Sequence, residues 1–427
     1  MKLSNCLLFL FAVLSAKAQI INFTDQGLKN AILQYSFDQQ GLEINPDTNA
    51  NGEIEVSEAQ NVFIIQSPSD LSVNNFEGLQ YFTNLSELLF STAQTNFSSL
   101  NPSALPPSLQ VLRIEDGMLV EFSGSVPSIT DLRIHFCPLQ SIDLSGVSQL
   151  TTLSIFNTGL TSLSAAVCSN LQNLNCGYNN LSALTFPSSI KRLGVQWNQL
   201  TTLEFGPGVD LEFLECFNNQ LTSLDLSNMI HLESVDCGYN QLTSLNLSNT
   251  MSQPLNNPQP WFRCGNNQLT VLDLTSCSAK RFYADNNLLT SLFMKNGVNN
   301  TSPTSFSGNP TLSHICVDDS EFAYVQAKVN AYGYTGCVID GNCSLGTNEP
   351  EVTWAVVPNP ASSILSLMGF EQLNISSVKI FNAVGQLVLV TSNDFPDSID
   401  VSSLPEGTYI LELRADDKRY TSKFVKS

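Results

Sequence analysis

The chain has 427 residues, of which 42% are hydrophobic and 13% are charged, and its mean hydropathy is +0.03. This length and hydrophobicity support packed cores in two or three domains of about 150 residues each, which excludes global disorder. The net charge of −20 disfavours binding to nucleic acid or to anionic lipid. The three histidines, His135, His231 and His314, offer little material for acid–base catalysis near neutral pH.

The N-terminus is typical of a secretory signal peptide. Lys2 is followed by an apolar stretch at 7–14 and by the small-x-small sequence Ala-Lys-Ala at 16–18. The apolar stretch is too short to cross a bilayer, and the sequence contains no later run of 18 apolar residues. We therefore predict a signal peptide at 1–18, a mature start near Gln19 and no transmembrane segment.

A repeat of about 21 residues dominates the middle of the chain. Six clear copies share the frame L-x-C-x-x-N-x-L, with Val or Phe in place of the first leucine in three copies and Val or Ala in place of the cysteine in two. Their asparagines are spaced by 19, 21, 21, 27 and 20 residues, and weaker copies precede them near Leu153, Leu132, Leu112 and Leu88. The six asparagines are Asn179, Asn198, Asn219, Asn240, Asn267 and Asn287. We predict a leucine-rich-repeat solenoid over 62–315, with a parallel β-sheet on its concave face and mostly irregular or 3-10 return segments.

Two residue types recur at fixed places in each copy. Each asparagine is expected to hydrogen-bond the backbone of neighbouring turns. In-register side chains on parallel strands point side by side, so we interpret four cysteines as a ladder of buried thiols rather than as disulfides. They are Cys176, Cys216, Cys237 and Cys264. Three further cysteines, Cys316, Cys337 and Cys343, fall in a predicted C-terminal cap at 316–343, where one disulfide is plausible and all three pairings remain open.

These repeats resemble the 21-residue, cysteine-ladder leucine-rich repeats of bacterial surface proteins of the internalin J type. The segments NQLTSLDLS at 219–227 and NQLTSLNLS at 240–248 are close to the consensus of that family. The resemblance covers about 62–315 and implies the fold without identifying a ligand. The 27-residue step departs from the pattern through a Pro/Asn-rich insertion around 251–260, which we expect to bulge from the stack.

An N-terminal cap is predicted at 19–61, because the open end of a solenoid must be covered. Leu28, Ala31, Ile32 and Tyr35 recur at helical spacing, with Thr24 or Asp25 as the N-cap. We expect this helix to cover the apolar end of the first coil.

A segment of the cap matches the EF-hand loop pattern D-x-[DN]-x-[DN]-G-x-[ILV]-x-x-x-E at every position. It predicts a structural calcium ion, Ca²⁺, held by side-chain oxygens, one backbone carbonyl and one bidentate carboxylate. The side-chain oxygens are those of Asp47, Asn49 and Asn51, the backbone carbonyl is that of Glu53, and the bidentate carboxylate is that of Glu58. The alternative is a plain Asn/Gly-rich turn that leads into a first strand at 62–65.

A polar linker at 344–353 precedes a module at 354–427 with a period-two pattern, which predicts a small antiparallel β-sandwich. Four segments are similar to the type A C-terminal sorting domain of the type IX secretion system of Bacteroidetes: VPNP, IFNAVG, IDVSSLPEGTY and the terminal YTSKFVKS. The resemblance implies recognition by the type IX secretion machinery, transport across the outer membrane, and removal of the domain, followed by release or surface attachment. The alternative is an ordinary terminal sandwich used for binding.

Outward positions of the predicted concave face combine aromatic and charged residues, a composition typical of binding hot spots. We predict a ligand-binding face formed by Phe156, Arg192, Trp197, Phe213, Glu215, Phe217, Asp236, Trp261, Arg263, Arg281 and Tyr283. The alternative is that aromatic residues of successive coils stack only to stabilise the sheet.

The predicted function is therefore a non-catalytic, secreted or cell-surface recognition or adhesion protein that binds protein or glycan partners. The sequence contains neither G-x-S-x-G nor H-E-x-x-H. The alternative is a secreted hydrolase accessory protein or a glycan-active enzyme that uses carboxylates such as Asp318, Asp319 and Glu321.

Overall fold

The chain forms two compact units, 1–343 and 344–427, in a computed structural model. The predicted signal peptide at 1–18 and the predicted linker at 344–353 lie outside the described residues. The structure describes residues 19–67, 71–91, 97–256, 259–298, 303–341, 343, 355–368, 375–382, 386–391, 398–415 and 418–427.

The first unit is a solenoid in which each coil contributes one short strand to a 13-stranded sheet, eleven of whose strands run parallel. Apolar residues two apart, such as Leu174 and Cys176, are buried, while Asn173 and Asn175 between and beside them stay partly exposed. The leucine-rich-repeat fold class is confirmed. The parallel strands are Ile64–Ser67, Glu87–Ser91, Val111–Glu115, Asp131–His135, Thr152–Phe156, Asn173–Asn175, Arg192–Gly194, Phe213–Glu215, Ser234–Asp236, Trp261–Arg263 and Arg281–Tyr283.

The return segments contain more strand than expected. Among the described residues of the early coils, 3-10 turns occur at Leu79–Tyr81, Pro102–Ala104 and Ser145–Val147. Elsewhere the same positions of successive coils pair in parallel, because a repeat of constant length brings equivalent backbone groups side by side. These strands are Glu121–Phe122 with Ser141–Ile142, Ser162–Ser164 with Ala183–Thr185, Ser223–Asp225 with Ser244–Asn246, and the four-stranded set Val271–Asp273, Ser291–Phe293, His314–Cys316 and Val338–Asp340.

The cysteine ladder is confirmed as a row of free, fully buried thiols at 176, 216, 237 and 264. Val195 takes the same position in the intervening coil. Burial raises the pKa of the Cys176 thiol to about 12 and also raises that of Cys216, so both groups stay protonated. These thiols therefore act as small apolar groups of the core.

The repeated asparagines form a second ladder, as expected. The Asn219 Nδ2 donates to the carbonyl of Val195 in the preceding coil at 2.9 Å and to that of Cys216 in its own coil at 3.2 Å. Its Oδ1 accepts from the Leu200 N–H at 3.0 Å. Asn309 makes the equivalent bonds one coil beyond Asn287. The sequence analysis missed this copy because the polar Thr304 and the bulky Phe306 take the places of the leucine and the cysteine.

The N-terminal cap begins with a helix at Gln26–Gln34, whose N-cap Asp25 accepts a hydrogen bond from the Leu28 N–H at 2.9 Å. Its buried face packs in the common core of the solenoid. The strands Ser36–Phe37 and Glu43–Ile44 extend the main sheet in antiparallel fashion, and a short helix, Val56–Ala59, precedes the first coil. The first parallel strand, Ile64–Ser67, begins two residues later than expected.

The far end of the solenoid is covered by the helix Phe322–Tyr332 and the strand Val338–Asp340. Of the three possible pairings, the structure contains the disulfide Cys316–Cys343, and Cys337 is free. The helix has 11 residues and is the longest in the described ranges, where no helix is long and apolar enough to span a bilayer.

The second unit consists of two antiparallel sheets around one core, which confirms the predicted sandwich. Buried side chains from both sheets, including Leu365 on one and Ile380 and Phe424 on the other, meet in that core. The strands are Ala355–Val357, Ile364–Met368 and Ser398–Asp400 in one sheet, and Leu387–Thr391, Ile375–Asn382, Gly407–Ala415 and Lys418–Lys426 in the other.

Candidate functional site

The outward residues of the main sheet, here called the strand face, carry the residues predicted to bind a ligand. Parallel in-register pairing places equivalent positions of neighbouring coils side by side. The predicted residues therefore fall into three groups. Two are clusters of charged and aromatic residues on the strands, and the third is a row of aromatic residues along the C-terminal ends of the strands.

The first cluster is built on Arg192 and Phe213, which occupy paired positions of adjacent strands. The guanidinium carbon of Arg192 lies 4.0 Å from the centre of the Phe213 ring, a cation–π contact, and its Nη2 is 3.5 Å from a carboxylate oxygen of Glu212. Glu215 follows on the same strand. Partial burial raises the pKa of Glu215, and the nearby Asp236 carboxylate raises it further.

The second cluster is centred on Arg263, which neighbouring coils surround. The Arg263 Nη1 is 3.3 Å from a carboxylate oxygen of Asp236, and its guanidinium carbon lies 5.3 Å from the ring centre of Trp261 and 5.0 Å from that of Tyr283. Arg281 lies beside Trp261 and donates to the backbone carbonyl of Gln259 at 3.0 Å. Arg263 is thus held between the rings of Trp261 and Tyr283 while its side chain remains about half exposed, at 52%.

The aromatic row consists of Phe136, Phe156, Tyr178 and Trp197. Successive ring centres are 5.9, 5.0 and 5.6 Å apart, and the last two rings are stacked at an interplanar angle of 20°. Tyr178 is 43% exposed and Trp197 is 47% exposed. Phe217 of the next coil is half-buried. Phe136 was not predicted from the sequence, because its coil is a degenerate copy with a cysteine in place of the repeated asparagine.

The backbone of this row is unusual. Phe136, Tyr178 and Trp197 have φ of 53°, 56° and 55°, in the left-handed region, immediately before the ladder position. Asparagine occupies the equivalent position in other coils, as at Asn157 and Asn218 with φ of 52° and 54°. Asparagine is enriched in this conformation, whereas a bulky residue there costs on the order of 1–3 kcal/mol. The exposed rings are therefore not explained by what the backbone prefers.

The calcium-like loop folds into a turn lined by oxygen atoms. The Asp47 carboxylate accepts from the N–H groups of Asn51 at 3.1 Å and Gly52 at 2.8 Å, and the Asn49 Oδ1 accepts from Asn51 N–H at 3.0 Å. The amide nitrogens of Asn49 and Asn51 donate to the Glu55 carboxylate at 3.0 and 2.8 Å. The Glu53 side chain points away and pairs with a lysine at 2.8 Å.

Glu58, the expected bidentate ligand, bonds to the loop backbone. Its carboxylate accepts from Thr48 N–H and Oγ1, each at 2.8 Å, and from Glu55 N–H at 3.0 Å. Burial raises the pKa of Glu58, but these hydrogen bonds outweigh burial and lower it to about 2. Within the described part of the chain, no three His, Cys, Asp or Glu side chains are grouped for a metal ion. A calcium ion would therefore depend on the asparagine oxygens and on a turn of Glu58 away from Thr48.

The carboxylates considered for the enzyme alternative lie at the C-terminal end of the solenoid. Asp318 Oδ2 accepts from Gly297 N–H at 2.9 Å. Glu321 is completely buried at the start of the helix Phe322–Tyr332. Both observations place Asp318 and Glu321 in the packing of the cap, whereas Asp319 is exposed.

Comparison with known proteins identifies the second unit. Residues 355–427 match the family described as the secretion system C-terminal sorting domain, which confirms the type IX sorting domain and indicates secretion to the cell surface or beyond. No curated protein matches the chain.

Solved structures similar to this chain include several bacterial proteins. The functional domain of InlJ from Listeria monocytogenes, which includes a cysteine ladder, is 16% identical with a TM-score of 0.42, over 88% of this chain and 92% of that one. YopM from Yersinia enterocolitica is 23% identical with a TM-score of 0.39, over 60% and 64%. A leucine-rich-repeat protein of Leptospira interrogans is 18% identical with a TM-score of 0.37, over 75% and 98%.

Proposed function

We propose that the protein is a non-catalytic recognition or adhesion protein that binds a protein or glycan partner through the strand face after secretion. The observation that carries this proposal is the aromatic row, in which exposed rings occupy left-handed backbone positions where neighbouring coils use asparagine. Stacking within the row stabilises neighbouring coils, but it leaves ring surface in solvent. The conformational cost together with the exposure is accounted for if the rings contact a partner.

The charged clusters support the same surface. Arg192 and Arg263 are each held against aromatic rings, so less side-chain freedom would be lost when a partner covers them. Arginine and aromatic residues dominate the energetics of binding at interfaces. A second proposed partner is the type IX secretion machinery, which would recognise the sorting domain. The domain would then be removed, and the solenoid would be released or attached to the cell surface.

The test is direct binding by the mature chain without its sorting domain. The probes are immobilised collagen, fibronectin and mucin, and an array of defined glycans. We expect binding to at least one probe. The double variant Tyr178→Asn/Trp197→Asn should weaken it by about 30-fold or more, since one aromatic hot spot contributes about 2 kcal/mol or more and 1.4 kcal/mol corresponds to a factor of ten.

Asparagine is chosen because this backbone position already accepts it in neighbouring coils, so the melting temperature should stay within a few degrees of wild type. A second variant, Phe213→Ala/Phe217→Ala/Trp261→Ala, removes one aromatic ring from each charged cluster and the ring that follows the aromatic row. The matched control, Val271→Asn, replaces an exposed residue on a return strand. Absence of binding to every probe, or equal binding by all variants, would refute the proposed function.

We also propose a structural calcium ion in the cap, held by Asp47, Asn49, Asn51, the backbone carbonyl of Glu53, and Glu58. The support is chemical: calcium prefers carboxylate and amide oxygens, and the first three side chains already lie in one tight turn. Bound there, the ion would brace the cap against the first coil.

A further inference from the structure

We propose that a polar depression in the strand face binds a neutral saccharide unit of a glycan. The inference rests on the proposed function, because it names the ligand class for part of the same surface. The depression spans the strands Thr152–Phe156, Asn173–Asn175, Arg192–Gly194 and Phe213–Glu215, and it offers about 500 Å³ of space that is open to solvent. This volume lies within the range of ligand-binding pockets, roughly 300–1,000 Å³.

The floor of the depression is made of short, uncharged polar groups. Thr152, Ser154, Asn173 and Asn175 line it, and Gly194 leaves its centre without a side chain. Hydroxyl and amide groups both donate and accept hydrogen bonds, as each sugar hydroxyl does. A peptide partner would instead favour a deep apolar pocket for an anchor side chain. The apolar residues that line this depression are Phe213 and three leucines that are at most 2% exposed, Leu153, Leu174 and Leu193.

The two arginines at the rim are each paired with a carboxylate. Arg133 makes two hydrogen bonds to the Asp131 carboxylate, at 2.9 and 2.8 Å, which neutralise it within its own strand. Arg192 is 3.5 Å from a Glu212 carboxylate oxygen. Glu215 adds a further negative charge at the edge. The depression therefore favours a neutral ligand over a phosphate, sulfate or carboxylate group.

Two acceptor oxygens flank the open centre. A Cβ atom placed on Gly194 would lie 3.2 Å from the Asn175 Oδ1 and 3.2 Å from the Gln196 Oε1. Gln196 is 7% exposed, and its Oε1 has no hydrogen-bond partner among the described residues. A buried acceptor without a partner is uncommon in a folded protein. A hydroxyl group that entered above Gly194 would bring a donor to this pair of oxygens.

The experiment is a glycan array followed by calorimetry, with the full chain and with single variants. We expect binding to neutral oligosaccharides. Asn175→Ala should weaken binding by about tenfold, the effect of one or two hydrogen bonds. Gly194→Val should abolish it by filling the centre. The matched control is Asn180→Ala, an exposed asparagine on the turn of the same coil, which should bind as wild type. Circular dichroism and thermal melts check that each variant folds.

The possible failures are distinguishable. If the chain binds a protein probe that Tyr178→Asn/Trp197→Asn disrupts, yet binds no neutral glycan, the saccharide site is wrong and the proposed function stands. Binding of only sialylated or sulfated glycans would contradict the neutral depression. Neutral glycan binding that Asn175→Ala and Gly194→Val leave unchanged would place the sugar elsewhere and overturn the inference.

Discussion

Replacing Asn219 with alanine removes one rung of the asparagine ladder without changing the apolar core. The side chain is 8% exposed, and its amide satisfies three backbone groups, the carbonyls of Val195 and Cys216 and the N–H of Leu200. A buried backbone group that loses its partner costs about 1–3 kcal/mol. We expect the three losses together to destabilise the neighbouring coils by about 3–6 kcal/mol. The upper value is below three times the largest single cost, because water that enters the vacated space hydrogen-bonds some of the freed groups.

The assay is alkylation of the ladder thiols under native conditions, followed by mass spectrometry. Cys216 and its neighbour Cys237 are fully buried, and burial raises the pKa of both thiols, so they react only when the coil opens. A cost of 3–6 kcal/mol should accelerate alkylation of Cys216 by roughly 10²–10⁴-fold, since 1.4 kcal/mol corresponds to a factor of ten.

The matched control is Gln220→Ala, the exposed residue next to the ladder position, which should react at the wild-type rate. Equal alkylation rates in Asn219→Ala and wild type would refute the structural role assigned to the asparagine ladder.

Three further predictions concern the caps and the sorting domain. Calcium should raise the melting temperature of the wild type and of Glu53→Ala, because that variant keeps the backbone carbonyl at position 53, but it should not raise that of Glu58→Ala. Superimposable melting curves of the wild type in calcium and in EGTA would exclude the ion. Reduction of the disulfide Cys316–Cys343, which closes a 27-residue separation, should destabilise the C-terminal cap by about 3.5 kcal/mol. Peptide mapping should find this linkage and a free thiol at Cys337. The secreted protein should end within 344–353, as mass spectrometry would show, whereas a secreted chain that retains residue 427 would contradict removal of the sorting domain.

The repeat period was sufficient to predict the solenoid, because apolar residues two apart, repeated at a nearly constant period, are buried together only when coils of equal length stack. The same logic identified the asparagine ladder before any coordinates. It failed at Asn309, where Thr304 and Phe306 stand in the leucine and cysteine positions of the repeat. It also failed at the return strands, whose pairing depends on backbone positions that short polar segments do not reveal.

The candidate surface was predictable in composition but not in arrangement. Spacing placed Arg192 and Phe213 on the outward face, yet their contact arises from pairing across two coils. The left-handed conformation of Tyr178 and Trp197 became evident only from the backbone. In sequence they read as ordinary aromatic residues beside the repeat, although the asparagines at the same position in other coils were an available signal.

The most direct measurement of the central claim is site-specific photo-crosslinking to the probe that the mature chain binds. A benzophenone amino acid is introduced in place of Phe217 on the strand face and, separately, in place of Val271 on the return strands. We predict a covalent adduct with the bound probe from position 217 and none from position 271. Adducts from position 271 alone, or equally from both positions, would contradict recognition through the strand face.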